Sequence, residues 1–376
     1  MSAVSITIDD QDGSARAGTL ATPHGAVATP AFMPVGTRGS VRGLDAADLE
    51  SIGAEIVLAN TYHLMLRPGD QTVSELGGLQ SFMGWEGPVL TDSGGYQVFS
   101  LQPKVTEEGV VFKSTYDGSR VELTPEQAIR IQETLGSDIA MVLDELIGLP
   151  ASVAAVRDAM ERTLRWSERA IAAKEREDRA LFGIVQGGVD SDLRAESAAR
   201  TAALGFDGFG IGGLSVGESR TELRTALDAA IPELPADKPR YVMGLGDTEQ
   251  LIDAIERGVD MFDCVLPTRL ARHGKVLHPA GDYSIKRQEW ATNSEPLQSD
   301  CDCPACGRYS RGYIRHLFQT KELLGGRLVS LHNLRYTLRL LESAREAITS
   351  GRFREWSREV LDSRPALDAD IPRIHD

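Results

Sequence analysis

The chain has few cysteines, a shortage of positive charge and no long apolar run, and each shortage excludes a class of protein. Four cysteines among 376 residues cannot frame a disulfide-rich secreted fold, and three of them crowd together at 301, 303 and 306. Cysteines one residue apart rarely pair with each other, so the cluster points to a metal and to a reducing compartment. No stretch approaches the ~20 apolar residues that span a bilayer. The opening, Met1 to Gly13, has neither a basic start nor an apolar signal core. The expectation is a cytoplasmic protein with no membrane partner. Lys and Arg number 40 against 55 Asp and Glu, a net charge of −15, which argues against a protein that coats nucleic acid wholesale.

The charge that is present is uneven. Residues 308–358 carry 11 Lys and Arg against 4 Asp and Glu, a balance of +7, which leaves −22 for the rest. A basic segment on an acidic body fits a local polyanion site. Solvated helix faces produce the same count, and taken alone that is the simpler account. With 41% hydrophobic and 25% charged residues the composition is that of an ordinary soluble chain. Its length suits one large domain with an appendage, or two domains.

Eight short apolar runs end in polar residues or glycine, and helical stretches separate most of them. The runs are Ala31–Gly36, Ala54–Asn60, Pro88–Asp92, Ile139–Asp144, Leu181–Gln186, Gly208–Gly213, Tyr241–Gly244 and Met261–Leu266. Between them, Thr124-Pro-Glu-Gln127 reads as a capping box with proline at the first helical position, and Gly136 as its stop. Val153, Val156, Met160 and Leu164 recur at helical spacing. Asp190 or Ser191 opens a helix that stops at Gly205, and Asp247-Thr-Glu-Gln250 opens another that Gly258 closes. Eight alternations over about 250 residues predict an α/β fold, a (β/α)8 barrel, with a doubly wound open sheet as the alternative. Residues 1–30 supply short alternating strands that cover one end. Insertions fall at 93–123 and 273–330, and a final helix runs over about 331–360. The predicted division is a barrel over 1–272, a metal-binding subdomain with the terminal helix over 273–360, and a tail over 361–376.

Cys301-x-Cys303-x2-Cys306 is followed by His332. Three thiolates and one imidazole close a tetrahedral shell, which is how structural Zn2+ is held; a catalytic ion keeps a position open for water. By spacing alone His316 and His278 compete with His332 for the fourth place. The expected cofactor is therefore one structural Zn2+ per chain.

Other motifs promise more than they deliver. Gly208-x-Gly210-x-x-Gly213 matches a dinucleotide fingerprint by letter, but Leu214 to Glu218 separates it from the next helix. Its glycines better serve close backbone approach to a flat ligand. His63 reads as a satisfied core histidine, and Cys264 as a small core residue.

The carboxylates carry more. Barrel chemistry sits at the C-terminal ends of the strands, and there stand Asn60, Asp92, Asp144, Gln186, Gly213 and Gly244. Asp263 lies inside the last apolar run, where a carboxylate loses hydration and needs a compensating reason. Arg269 and Arg272 follow it, in reach of a phosphate backbone. A hydrogen-bonded or capping aspartate accounts for each carboxylate singly. Three converging on one mouth suit glycosidic-bond chemistry, one attacking the anomeric carbon and another moving the proton.

Leu90-Thr-Asp-Ser-Gly-Gly-Tyr-Gln97, Gly183-Ile-Val-Gln-Gly187, Gly212-Gly-Leu-Ser-Val-Gly-Glu218, Phe262-Asp-Cys-Val-Leu-Pro-Thr-Arg269 and the Cys3His set resemble the signatures of the bacterial tRNA-guanine transglycosylases. The resemblance runs from about residue 5 to 360. It implies an irregular (β/α)8 barrel with an inserted zinc subdomain. It implies that Asp263 displaces guanine at the wobble position of tRNA, leaving a covalent ribosyl-enzyme, and that Asp92 is the general acid/base. The incoming base would be 7-aminomethyl-7-deazaguanine, with queuine as the alternative. Asp144, Gln186 and the backbone at Gly213 and Leu214 would read the base edge. Tyr96 and Met243 would sandwich its faces, Asn60 and Ser93 would line the pocket, and Arg269, Arg272 and the basic C-terminal region would hold the anticodon loop. The likeness also implies a homodimer. The chain departs from the pattern at Leu146-Ile-Gly, where Cys-Thr-Pro is usual, and at Leu270, where Asn or Ser is usual. Val216 has the bulk of the aminomethyl-accepting members. A tRNA-binding subunit without exchange activity and a zinc hydrolase are the other function classes the residues allow.

Overall fold

Each capping signal becomes a helix end. The structure, a computed structural model, describes residues 3–101, 103–214 and 217–364. Thr124 and Gln127 exchange reciprocal bonds of 3.3 and 2.9 Å at the start of the helix Pro125–Leu135, and Gly136 ends it in a left-handed conformation. Asp190 caps Ser191–Ala203. Asp247 caps Thr248–Glu256 by accepting from the amides of Glu249 and Gln250; the return bond expected of a full capping box is not made.

The eight apolar runs are the eight strands of a closed parallel barrel. In chain order they are Ala31–Gly36, Val57–Ala59, Val89–Thr91, Ile139–Met141, Ala180–Val185, Gly208–Ile211, Arg240–Val242 and Met261–Cys264. Met261 pairs with Ala31 and Asp263 with Met33, so the last strand closes on the first. A parallel sheet inside a ring of helices is buried on both faces, hence the unbroken apolar runs. Every residue in these strands is buried except one: Asp263 is only partly covered. The last strand is shorter than its apolar run, because Leu266 already belongs to the helix Leu266–Arg272, with Pro267 in its first turn.

The expected cover is a three-stranded antiparallel sheet, Ser5–Asp12, Ala15–Thr22 and Gly25–Thr29. It docks through residues that immediately precede barrel strands. Arg16 makes a buried two-pronged ion pair with Asp260, at 2.7 and 2.6 Å. His24 meets Asp138 at 2.6 Å, and the amide of Ala28 donates to Glu55 at 2.6 Å. The sheet therefore seals the N-terminal end and leaves the C-terminal mouth open. Breaking the buried Arg16–Asp260 pair on one side costs about 3–5 kcal/mol, because the other charge stays buried.

The insertion after the third strand forms a short helix, Gly95–Ser100, and a small sheet, Lys104–Val105, Val110–Lys113 and Arg120–Leu123. Buried Trp166 anchors it by donating to the carbonyl of Glu107 at 2.8 Å. The eighth helix of the barrel comes late. After the cysteine-bearing segment, Leu323–Thr349 packs on Leu266–Arg272, on the first barrel strand and on the N-terminal sheet. At 27 residues it is about 40 Å long. Leu334, Leu338 and Leu341 form its buried stripe, as their spacing predicts. No helix among the described residues is long and apolar enough to cross a membrane.

Candidate active site and metal centre

Strand ends deliver the polar residues to one cavity of about 290 Å3 at the C-terminal mouth. Its walls include Asn60, Asp92, Ser93, Tyr96, Asp144, Gly213, Leu214, Met243 and Asp263, nine of the residues singled out from sequence. Leu146 also lines it. Gln186 does not. It is buried behind the wall and donates to Oδ2 of Asp144 at 2.5 Å. Val216 lies outside the described residues.

Asp263 holds its carboxylate in an asymmetric grip. Oδ1 accepts from the phenol of Tyr241 at 2.5 Å and from the amide of Gly244 at 2.8 Å. No donor among the described residues reaches Oδ2. Burial pushes this carboxyl up from the ordinary range, and the two donors oppose that push. One oxygen is thus fixed and the other faces no donor among the described residues.

Asp92 is buried and far more heavily bonded. Its Oδ1 accepts from the amides of Thr61 and Gly94, at 2.8 and 3.2 Å, and its Oδ2 from the side-chain amide of Asn60. Burial nevertheless dominates and lifts it from 3.8 to about 6, with a further upward push from the charge on Asp263. A carboxyl at about 6 can both give and take a proton near neutrality. Burial also lifts Asp144 from 3.8 to about 6, against the hydrogen bond from Gln186.

At Gly212 and Gly213 the wall is bare backbone. A Cβ on Gly213 would stand 2.4 Å from Oε1 of Gln186, at a φ of +66°, so only glycine fits. Behind it, fully buried Arg194 donates to the carbonyls of Gly188, Val185, Gly212 and Gly213, at 2.7 to 3.2 Å. Gly208 and Gly210 serve packing: a Cβ there would meet Phe182 at 2.4 Å and Met141 at 2.7 Å. The next helix, Arg220–Ala230, begins well beyond them, so the glycine motif opens no phosphate-binding turn.

Sequence reasoning missed Tyr241 and Arg194. The available signals were a hydroxyl inside a barrel-strand run and an arginine on the inner side of the helix Ser191–Ala203.

Arg269 and Arg272 sit on the helix that follows Asp263, outside the cavity wall and without a hydrogen-bonded or ion-paired partner among the described residues. The charge of Arg42 bears on Arg272. The basic C-terminal segment behaves differently. Arg335 pairs with Asp302 and Glu342, Arg327 with Asp48, and Arg345 donates to the carbonyl of Pro30 at 2.7 Å. Four of its eleven basic residues, Arg327, Arg335, Arg339 and Arg352, pair with carboxylates, so part of its charge is spent inside the molecule.

Cys301, Cys303, Cys306 and His332 are buried together, their ligand atoms all within 4.8 Å of one another. Tetrahedral bonds of ~2.3 Å to sulfur and ~2.0 Å to nitrogen demand ligand separations of roughly 3.5–3.8 Å, so the group is sized to hold one metal ion. Nδ1 of His332 stands 3.3 Å from Sγ of Cys306, while Nε2 lies 2.9 Å from the carbonyl of Leu277. That contact fixes the proton on Nε2 and frees Nδ1 as a ligand. His278 and His316 stand outside the group.

A family model described as queuine tRNA-ribosyltransferase matches residues 10–366. The chain belongs to that family. Proteins named queuine tRNA-ribosyltransferase resemble it over nearly its whole length. One from Herpetosiphon aurantiacus is 54% identical, covering 94% of this chain and 91% of that protein. One from Thermus thermophilus is 49% identical, covering 95% and 93%. One from Pseudoalteromonas translucida is 46% identical, covering 98% of each. The chain is accordingly an enzyme, a pentosyltransferase of the tRNA-guanine transglycosylase type.

Proposed function

We propose that the protein replaces guanine at the anticodon wobble position of tRNA with 7-aminomethyl-7-deazaguanine, a step of queuosine formation. The reading is carried by the free Oδ2 of Asp263 facing the same cavity as a carboxyl poised near 6 on Asp92. Oδ2 attacks the ribose anomeric carbon while the glycosidic bond to guanine breaks. Asp92 gives its proton to the departing base. The incoming base then loses a proton to Asp92 and attacks the same carbon, releasing Asp263. Two inversions retain configuration and give ping-pong kinetics.

In this reading Asp144, held by Gln186, and the backbone at Gly213 and Leu214 bind the base edge. Tyr96 and Met243 cover its faces. Asn60 keeps Asp92 in place and Ser93 lines the floor. The base must leave the loop stack to enter. Arg269 and Arg272 take phosphates. The metal is Zn2+ in a structural role, since four protein ligands leave no position for water. Queuine is the alternative incoming base. The reading includes a homodimer.

Mass spectrometry of enzyme mixed with an anticodon hairpin tests the reading. A covalent RNA adduct is expected, lost in Asp263→Asn and discharged by the aminomethyl base faster than by queuine. Exchange that proceeds in Asp263→Asn sinks the covalent step.

A further inference from the structure

A pair of arginines surrounds one tyrosine at the barrel mouth. The insertion hairpin, strands Val110–Lys113 and Arg120–Leu123, carries Tyr116 in its turn. Tyr62 holds that turn in place through its phenol, 3.1 Å from the hydroxyl of Thr115. The Tyr116 hydroxyl lies 3.2 Å from Nδ1 of His63. Two guanidiniums approach the Tyr116 ring, Arg67 at 4.6 Å and Arg38 at 5.6 Å from its centre. Their carbons are therefore no more than about 10 Å apart, within a Debye length of ~10 Å at 0.1 M salt, so they repel.

Ordinary compensation is missing. Among the described residues neither Arg38 nor Arg67 has a carboxylate within ion-pair distance or a hydrogen-bond acceptor, although many arginines of this acidic chain do. Both are exposed. Burial and the Arg38 charge push His63 down, which leaves its imidazole neutral and able to accept from Tyr116. The ring orients the guanidiniums by cation–π attraction without using their N–H donors.

Position says what the donors are for. Arg38 follows Thr37, which lines the cavity, and Arg67 follows the helix Thr61–Leu66 that begins beside Asn60. Arg42, Arg269 and Arg272 lie along the neighbouring edge, between the eighth and first strands. We propose that Arg38, Arg67 and Tyr116 form a second phosphate-binding site, which takes a backbone phosphate of the RNA whose base occupies the cavity. The site extends the arc of Arg269, Arg272 and Arg42 across the first two strands. A guanidinium presents a planar fork of donors that matches a phosphate, and two of them meet this one ring.

The proposal rests on the tRNA reading above, and the test separates the two. Binding of a fluorescent anticodon hairpin is followed by anisotropy across a salt series, for the wild type, Arg38→Gln/Arg67→Gln and Tyr116→Leu. The double variant is expected to bind at least about fivefold more weakly at 0.1 M salt, with a slope of log Kd against log salt shallower by roughly 0.7 per lost phosphate contact. Tyr116→Leu keeps both charges and loses their platform, and is expected to bind more weakly with an unchanged melting temperature. A double variant that melts like the wild type and keeps its Kd and slope overturns the phosphate site alone. A wild type with no salt-dependent hairpin binding takes the tRNA reading down with it.

Discussion

The phenol of Tyr241 and the amide of Gly244 converge on a single oxygen of Asp263, at 2.5 and 2.8 Å, and leave its twin free. Both donors favour the ionised form, which burial resists. Tyr241→Phe removes the stronger one while keeping the ring. A hydrogen bond to a charged group contributes about 1.5–3 kcal/mol, so kcat is expected to fall roughly tenfold to a hundredfold. With one donor gone, burial is less opposed and the Asp263 carboxyl rises further. The acid limb of the pH–rate profile then moves to higher pH. A uniform drop at every pH, with no movement of that limb, would assign Tyr241 to packing.

Asp92 links function to stability. Its carboxyl is raised from 3.8 to about 6 in the folded protein, so the folded state favours the protonated form. The stabilisation this brings is complete below about pH 4 and is lost as pH rises through about 6. Asp92→Asn cannot ionise and escapes that loss. At pH 8 it is expected to be more stable than wild type by up to about 3 kcal/mol, with the gap closing toward pH 4. Urea unfolding at the two pH values measures this. A variant less stable than wild type at pH 8 would mean that the bonds from Asn60, Thr61 and Gly94 outweigh burial.

The same balance explains what could be read from the sequence. A parallel barrel buries both faces of every strand, so its eight strands announce themselves as apolar runs, and Asp92, Asp144 and Asp263 stand out against them. Depth within the wall does not appear in a linear pattern. Gln186 follows its strand just as Asp92 follows its own, yet it is buried behind Asp144. Tyr241 passes for one more core aromatic until the register of the seventh and eighth strands, which pairs it with Met261, brings its phenol to Asp263 two residues on. Some of the C-terminal arginines look like part of a polyanion site because composition cannot show that Asp302 and Asp48 come from elsewhere to meet them.

The metal centre is tied through Asn333 to the helix that follows Asp263. That buried side chain donates to the carbonyls of Pro267 and Lys275, both at 3.0 Å, and accepts from the amide of Leu277 at 2.9 Å. Its neighbour His332 contacts the carbonyl of Leu277. Losing a thiolate should therefore loosen the helix that bears Arg269 and Arg272. Cys303→Ala is expected to bind less than one metal ion per chain by elemental analysis. It should be less stable than the wild type, because metal binding contributes to folding, and bind the anticodon hairpin more weakly. Full metal content with wild-type melting would remove Cys303 from the ligand set.

Arg194 does not line the cavity and still shapes one of its walls from behind. Its guanidinium is fully buried and satisfies four carbonyls, those of Val185, Gly188, Gly212 and Gly213. Burial lowers it to about 10, which still leaves it charged at neutral pH. Gly213 and Leu214, the backbone on which base recognition is proposed to depend, are the next link along that chain. Lysine would carry the charge to the same place but cannot span four acceptors with one ammonium group. Each carbonyl left without a donor costs about 1–3 kcal/mol. Arg194→Lys is therefore expected to lose stability of that order and to raise KM for the incoming base roughly tenfold, a shift of about 1.4 kcal/mol. The maximal rate should change less, because Asp92 and Asp263 lie on other strands. Loss of stability with an unaltered KM for the base would mean that Arg194 supports the barrel and does not set the shape of the base pocket.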